Sequence, residues 1–239
     1  MNFEKFFLKS NAWLPVRFLN LKGILHVGAH EAEEIDDYTN VGIKNIIWIE
    51  ALPEKKEIIL KKISKFPEMI FGSFAAGDKE GKMKFNVSSK TKSSSLLNFG
   101  THKDFYPEIS IVSEVEVKLK KIDNWISSNN IEQEIFNFLV LDIQGYELKA
   151  LKGMKKHLKY VDYIWTEINS NDLYIGSTKI NDLDQFLSNY EFSRVGTFMS
   201  GNGWGDALYT KKYKKRLKIY MFLIKFLKVI KSTIRFLKN

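Results

Sequence analysis

Cysteine is absent from the 239 residues, which removes disulfide frameworks, thiolate nucleophiles and Cys-ligated zinc or iron–sulfur sites together. A reducing, cytoplasmic compartment is therefore permitted. Proline (4) and glycine (14) are sparse while Phe (18), Tyr (10) and Trp (5) are plentiful, so the chain is neither disordered nor collagen-like. Long uncharged apolar runs are missing too. The stretch 217–237 carries Lys218, Lys225, Lys228, Lys231 and Arg235, too many charges for a membrane span. Residues 1–22 are interrupted by Lys9, Asn11 and Arg17, with no small-residue cleavage site after them. Neither an export signal nor a transmembrane helix is expected.

What is present suits one globular domain with appendages: 27.9 kDa, 44% hydrophobic and 27% charged residues. The formal charge of +9 is concentrated at the end. From Lys211 onward there are eleven basic residues and no acidic one, which leaves residues 1–210 at −2. A phosphate backbone needs a basic face, so no nucleic-acid partner is expected for the body. The expected division is an N-terminal extension over 1–22, a catalytic domain over 23–211 and a basic amphipathic tail over 212–239. In the tail, basic or polar residues at 214, 218, 225, 228, 232 and 235 fall on one helical stripe, with Leu217, Tyr220, Leu223, Leu227 and Ile230 around them. That pattern predicts a helix on an anionic membrane surface at the inner face; docking on the body or on a second subunit is the alternative.

Within the body, short β-branched runs alternate with amphipathic segments, the pattern of a mostly parallel sheet covered by helices. Strands are predicted at 23–27, 44–50, 69–75, 138–143 and 163–168, and helices at 53–65 and 146–158. Polar–apolar alternation at 82–87 and 112–119 predicts half-exposed strands of an insertion, with a Ser- and Lys-rich loop over 88–100 between them. The runs 192–199 and 207–211 flank a glycine-rich turn, Gly201-Asn202-Gly203-Trp204-Gly205, and predict a terminal antiparallel hairpin.

Four segments carry candidate chemistry. The run Ile24-Leu25-His26-Val27-Gly28-Ala29-His30-Glu31-Ala32 is a strand entering a small-residue turn and an acid-rich helix start. Positions 30 and 33 are His and Glu, so no dinucleotide glycine fingerprint exists, and the carboxylates would repel a pyrophosphate. A cationic adenosyl ligand suits that turn, with Gly28 leaving room for it; an ordinary tight turn is the plainer alternative. Trp48-Ile49-Glu50-Ala51 places Glu50 at the end of the next strand, 22 positions after Gly28, where a carboxylate can accept both ribose hydroxyls, or else form a surface ion pair. Phe138–Glu147 ends a buried strand in Asp142 before a glycine turn, a position for a general base or for a helix cap. Trp165-Thr166-Glu167-Ile168-Asn169 brings a second carboxyl, Glu167, that needs a partner if buried. His26, His30, Asp142, Glu167 and Asn169 at one rim could alternatively hold a divalent metal, though no metal-site spacing is present.

Taken in order, HVGAH, WIEALPE, AAGDKEGKMKF, the serine cluster Ser93-Ser94-Ser95-Leu96, LDIQGYELKALKG, TEIN and GDALY resemble the FkbM-type family of S-adenosylmethionine-dependent O-methyltransferases over residues 21 to about 211. Asp142, Gln144, Gly145, Glu147, Leu151 and Gly153 match its most specific string. His26 stands where an Asp is usual and Ala32 where a second Gly is usual, which suggests an altered turn. The resemblance implies a class I (Rossmann-like) methyltransferase fold and S-adenosyl-L-methionine as cofactor, with contacts at His26, Gly28, Ala29, His30, Glu50, Ala51, Ala76 and Asp142. It also implies methyl transfer to a hydroxyl of a small polar acceptor, most naturally a saccharide. An alcohol is a weak acid and needs a base as the bond forms, for which Asp142 is the first candidate, Glu167 the second and His30 the third. Trp165, Tyr174 and Trp204 offer faces for a sugar ring or fill the core. The rival reading is a non-catalytic, membrane-associated scaffold that keeps the fold.

Overall fold

The computed structural model describes residues 19–211. The predicted tail helix lies outside the described residues. Strand β1 (Gly23–Val27) is buried throughout because it pairs in parallel on both sides, with β2 (Asn45–Glu50) and with β7 (Phe138–Leu141). A strand in that position shows water neither face, which is why its sequence is a nearly unbroken apolar run. Strands β3 (Met69–Ser73), β8 (Tyr163–Asn169), β9 (Phe192–Met199) and β10 (Trp204–Lys211) complete a seven-stranded sheet in the order β3-β2-β1-β7-β8-β10-β9. Only β10 runs against its neighbours, inserted between β8 and β9. This is the expected class I arrangement, with the antiparallel strand last in the chain but internal in the sheet.

Helices cover both faces. On one, Ile24, Ile46, Trp48, Val140 and Trp165 pack with Ile35 and Tyr38 of α1 (Ile35–Asn40) and with Ile59 and Ile63 of α2 (Lys56–Ile63). The alternate residues Leu25, Val27, Ile47, Ile49 and Leu139 meet α4 (Ile122–Ser128), α5 (Glu147–Lys152) and α6 (Ile180–Ser188) on the other. The chain enters through a buried Leu19 in the first of these layers.

Several boundaries differ from the expected ones. β7 stops at Leu141 rather than at 143, β10 begins at Trp204, inside the expected glycine-rich turn, and the helix expected over 53–65 is a 3-10 turn at Pro53–Lys55 followed by α2. The run 69–75 is divided at Phe74, and Ala75–Ala76 (β4) joins a separate sheet with β6 (Ile111–Lys120) and β5 (Gly81–Ser88), the predicted insertion. Its outer face carries the cross-strand pairs Lys82–Glu116 (2.6 Å) and Lys84–Glu114 (2.8 Å), which accounts for the polar half of its alternation. The single helix expected over 146–158 stops at Lys152, with a 3-10 turn at His157–Lys159. Gly153 ends it: a Cβ there would stand 1.9 Å from the Gly77 carbonyl oxygen, so the backbones approach where no side chain fits.

Candidate active site

Parallel strands deliver their carboxyl ends to one rim, and a cavity of about 650 Å³ opens there. His26, Gly28, Ala29, His30, Glu50, Ala51, Ala76, Asp142 and Glu167 all line it. Asn169, weighed from the sequence as a metal ligand at the same rim, does not: its side chain is fully buried outside the cavity lining.

At the β1–β2 end, the Glu50 carboxylate is fixed by main chain. The His30 N–H donates to Oε2 (2.7 Å) and the Leu52 N–H to Oε1 (2.8 Å). Burial pushes its carboxyl above the ordinary value, against those two bonds. Each oxygen keeps a further lone pair toward the cavity. His26 is buried, its ring 5.0 Å from that of Trp48 and its Nδ1 3.0 Å from the Tyr38 hydroxyl, and burial lowers its pKa so that the imidazole is neutral. The turn is left-handed at His30 (φ 48°) and Ala32 (φ 51°), and helix α1 begins only at Ile35; the residue expected to be Gly keeps a glycine-like backbone as Ala.

Gly28 is needed for a reason other than ligand space. A Cβ on it would lie 1.8 Å from the Asp142 carbonyl oxygen, at φ +90°, so this glycine lets the β1 turn close against β7. His30 is likewise committed locally, with ring nitrogens 2.9 Å from Glu33 and 2.8 Å from the Thr91 hydroxyl, which leaves neither of them open to act as a base.

At the β7–β8 end, Gln144 ties the two carboxyls together. Its Nε2 donates to Asp142 Oδ1 (2.7 Å) and to Glu167 Oε2 (2.6 Å), and the Tyr174 hydroxyl, 2.7 Å from its Oε1 and 3.1 Å from the Ser93 carbonyl, braces the amide from the other side. Glu167 is pushed well above the carboxylate range by burial and then by the charge of Asp142 beside it. Asp206 on β10 lies directly across from Glu167 and accepts the Trp165 indole N–H (3.1 Å). Glu147, at the start of α5, accepts the N–H groups of Gly145 (3.0 Å) and Ile143 (3.3 Å) through Oε1, and its buried Oε2 has no partner among the described residues. Burial pushes its carboxyl up to about 7, with Asp142 adding to the effect. Among the described residues no group of three His, Asp or Glu is arranged to hold a metal ion.

The loop between β5 and β6 arches over the middle. Ser95 Oγ donates to the Gln144 carbonyl (2.8 Å), Thr91 meets His30, and Lys92 pairs with Glu33 (2.8 Å). Farther along the same loop, Tyr106 accepts from both Asn202 Nδ2 and Trp204 Nε1 (3.0 Å each). Trp204 and Trp165 line the cavity, Trp165 almost wholly buried. Sequence reasoning missed Asp206, His102 and Tyr106. For Asp206 the signal was its place in Gly205-Asp206-Ala207-Leu208-Tyr209, a string of the family resemblance with the acid at an otherwise apolar strand position.

Residues 26–194, well over half of the chain, match the methyltransferase FkbM domain. The chain is 20% identical over 176 residues to the 2-O-methyltransferase NoeI of Sinorhizobium fredii (strain NBRC 101917 / NGR234), a match covering 70% of this chain and 72% of that one. Among solved structures it resembles methyltransferase FkbM from Methylobacillus flagellatus KT (TM-score 0.52, 16% identity), with 80% of this chain covered but only 43% of the larger protein. A looser likeness, TM-score 0.48 at 10% identity, is to the magnesium protoporphyrin IX methyltransferase ChlM from Synechocystis PCC 6803, covering 87% and 79% of the two chains. By the extent of its domain match, the chain belongs to the FkbM methyltransferase family, whose cofactor is S-adenosylmethionine.

Proposed function

We propose that this methyltransferase acts on a hydroxyl of a small polar acceptor, a saccharide, with Asp142 as general base. The observation that carries the reading is the Asp142–Gln144–Glu167 cluster, where one carboxyl is anchored by Gln144 at the cavity beside a second that burial pushes toward its protonated form. The carboxyl at the strand end, held in place and open to the cavity, is fitted to take a proton from an alcohol. Glu167 orients the acceptor oxygen, and Gln144, braced by Tyr174, fixes the spacing between them. The aromatic walls and several carboxyls suit a ring carrying many hydroxyls. That a relative is a 2-O-methyltransferase supports oxygen as the acceptor atom.

The β1–β2 end fits the cofactor. Glu50, held by two backbone N–H groups with lone pairs to spare, would bind the ribose hydroxyls, with His26, Gly28, Ala29, His30, Ala51 and Ala76 around it. A cavity rich in carboxyls favours a cationic ligand. When bound, S-adenosylmethionine supplies an electrophilic methyl group. For the tail over 212–239 we infer attachment to an anionic membrane surface, on charge pattern alone; no helix among the described residues is long and apolar enough to cross a membrane.

Calorimetry with S-adenosylmethionine on the full chain should show saturable binding, and its absence would leave a scaffold that retains the fold. Asp142→Asn should keep that affinity and lower the rate of S-adenosylhomocysteine release in the presence of saccharide acceptors by about 10²–10⁴-fold. Full activity in Asp142→Asn with none in Glu167→Gln would reverse the two roles.

A further inference from the structure

Across the last three strands of the sheet, Glu167 on β8 is the register partner of Asp206 on β10, and Asp206 is the partner of Phe198 on β9. Directly paired residues project to the same face, so these three form a row, and all three line the cavity. Strands lie ~4.8 Å apart, which puts Asp206 one spacing and Phe198 two spacings, ~10 Å, beyond Glu167.

Asp206 is costly where it stands. It accepts one hydrogen bond, from Trp165, and among the described residues no Lys or Arg pairs with it. Burial, followed by the charge of Asp142, pushes its carboxyl up to about 7. Asp184 is a useful contrast within the same domain. Its carboxylate receives two bonds from Arg194 (3.0 and 2.9 Å) and one from the Tyr209 hydroxyl (2.7 Å), and so is satisfied by the fold itself. A largely buried carboxyl facing a cavity without such satisfaction is a group whose partners come with a ligand.

Phe198 is the opposite kind of residue. It is 43% exposed, an apolar ring at the lip of a polar cavity, two strands out from Glu167. Trp204 stands two residues before Asp206 on the same face of β10, its ring held by the bond to Tyr106. A carboxyl between aromatic rings is suited to carbohydrate: the acid accepts hydroxyls and the rings take the C–H faces.

We infer that Asp206 and Phe198 form a second acceptor subsite, in which Asp206 binds a hydroxyl neighbouring the one methylated and Phe198 seats the next ring of an oligosaccharide. This rests on the saccharide reading above. One pyranose placed with its reacting hydroxyl at Asp142 and Glu167 reaches Asp206 across a single strand spacing. It does not reach Phe198; the following unit does. The preferred acceptor is therefore a glycoside of two or more units rather than a free monosaccharide.

The test uses the full chain saturated with S-adenosylhomocysteine. Binding of glucose, mannose, galactose, fucose and N-acetylglucosamine, each alone and as di- and trisaccharides, is measured by saturation-transfer NMR with titration. For at least one sugar, the oligomer should bind about tenfold more tightly than the monomer. Phe198→Ala should erase that preference. Asp206→Asn, which retains an acceptor for the Trp165 N–H, should weaken the bound saccharide about tenfold while S-adenosylhomocysteine affinity stays as in the parent and the melting temperature does not fall below it. Equal binding of monomers and oligomers, or saccharide affinities untouched by both variants, overturns the subsite and leaves the saccharide reading standing. If no saccharide binds the parent chain at all, both fail.

Discussion

Replacing Glu147 by Gln should make the protein's stability less dependent on pH. The carboxyl is fully buried, and burial lifts it from 4.5 to about 7. Between those values the folded chain holds a proton that the unfolded chain has released, so the group's stabilising contribution is complete below about 4.5 and is lost as pH rises through about 7. At about 1.36 kcal/mol per pH unit the full gap corresponds to ~3 kcal/mol, most of it lost between pH 5 and 8. Gln keeps an oxygen for the N–H groups of Gly145 and Ile143, and sets an amide where the acid has an unpartnered Oε2. It does not titrate. The variant should therefore gain on the parent by ~2–3 kcal/mol from pH 5 to pH 8, or about 5–10 °C in melting temperature for a domain of this size. Only the difference is informative, because His157, lowered by burial to about 4, stabilises the fold in the opposite direction from pH 4 to 6.5 and is common to both chains. Thermal unfolding followed by circular dichroism at half-unit pH steps gives the two curves. Parallel curves would refute the reasoning.

Glu50→Gln should weaken S-adenosylmethionine by about 1.5–3 kcal/mol in calorimetry, the scale of hydrogen bonds to a charged group, and an unchanged affinity would remove Glu50 from the ribose site. Gly28→Ala should destabilise the fold by at least ~2 kcal/mol in a denaturant melt, since its Cβ would meet the Asp142 carbonyl at 1.8 Å in a left-handed turn; parental stability would show that the two turns do not close as described. Anionic vesicles should co-sediment the full chain and leave behind a chain truncated after Thr210, with each basic residue near the surface contributing about 1 kcal/mol. Equal capture of the two chains counts against membrane attachment.

The central strands were legible because β1, β2, β7 and β8 are buried on both faces and so read as apolar runs that end in a polar residue. The same rule exposed Glu50, Asp142 and Glu167, carboxyls placed where an open α/β sheet holds ligands. It failed where proximity is made by pairing far along the chain. Asp206 reaches the site only through the antiparallel register of β10 with β8. Short helices left little trace: α1 has six residues and α3 (His102–Phe105) four, too few turns for periodicity to emerge. Gly28 was legible as indispensable, but for the ligand's sake rather than for contact between two strands. Chain composition cannot distinguish a gap left for a cofactor from a gap left for another backbone.

The loop between β5 and β6 is fastened at both ends of the cavity by unlike bonds. Toward β1 it is held by the Lys92–Glu33 ion pair, whose lysine is 61% exposed, together with the Thr91–His30 hydrogen bond, and toward β7 by a neutral hydroxyl, Ser95, against the Gln144 carbonyl. Dissolved salt screens the ion pair and barely touches the hydrogen bonds. The strap accordingly has one buckle that salt can slacken and one that it cannot: as ionic strength rises, the β1 end loses part of its hold while the β7 end keeps all of it.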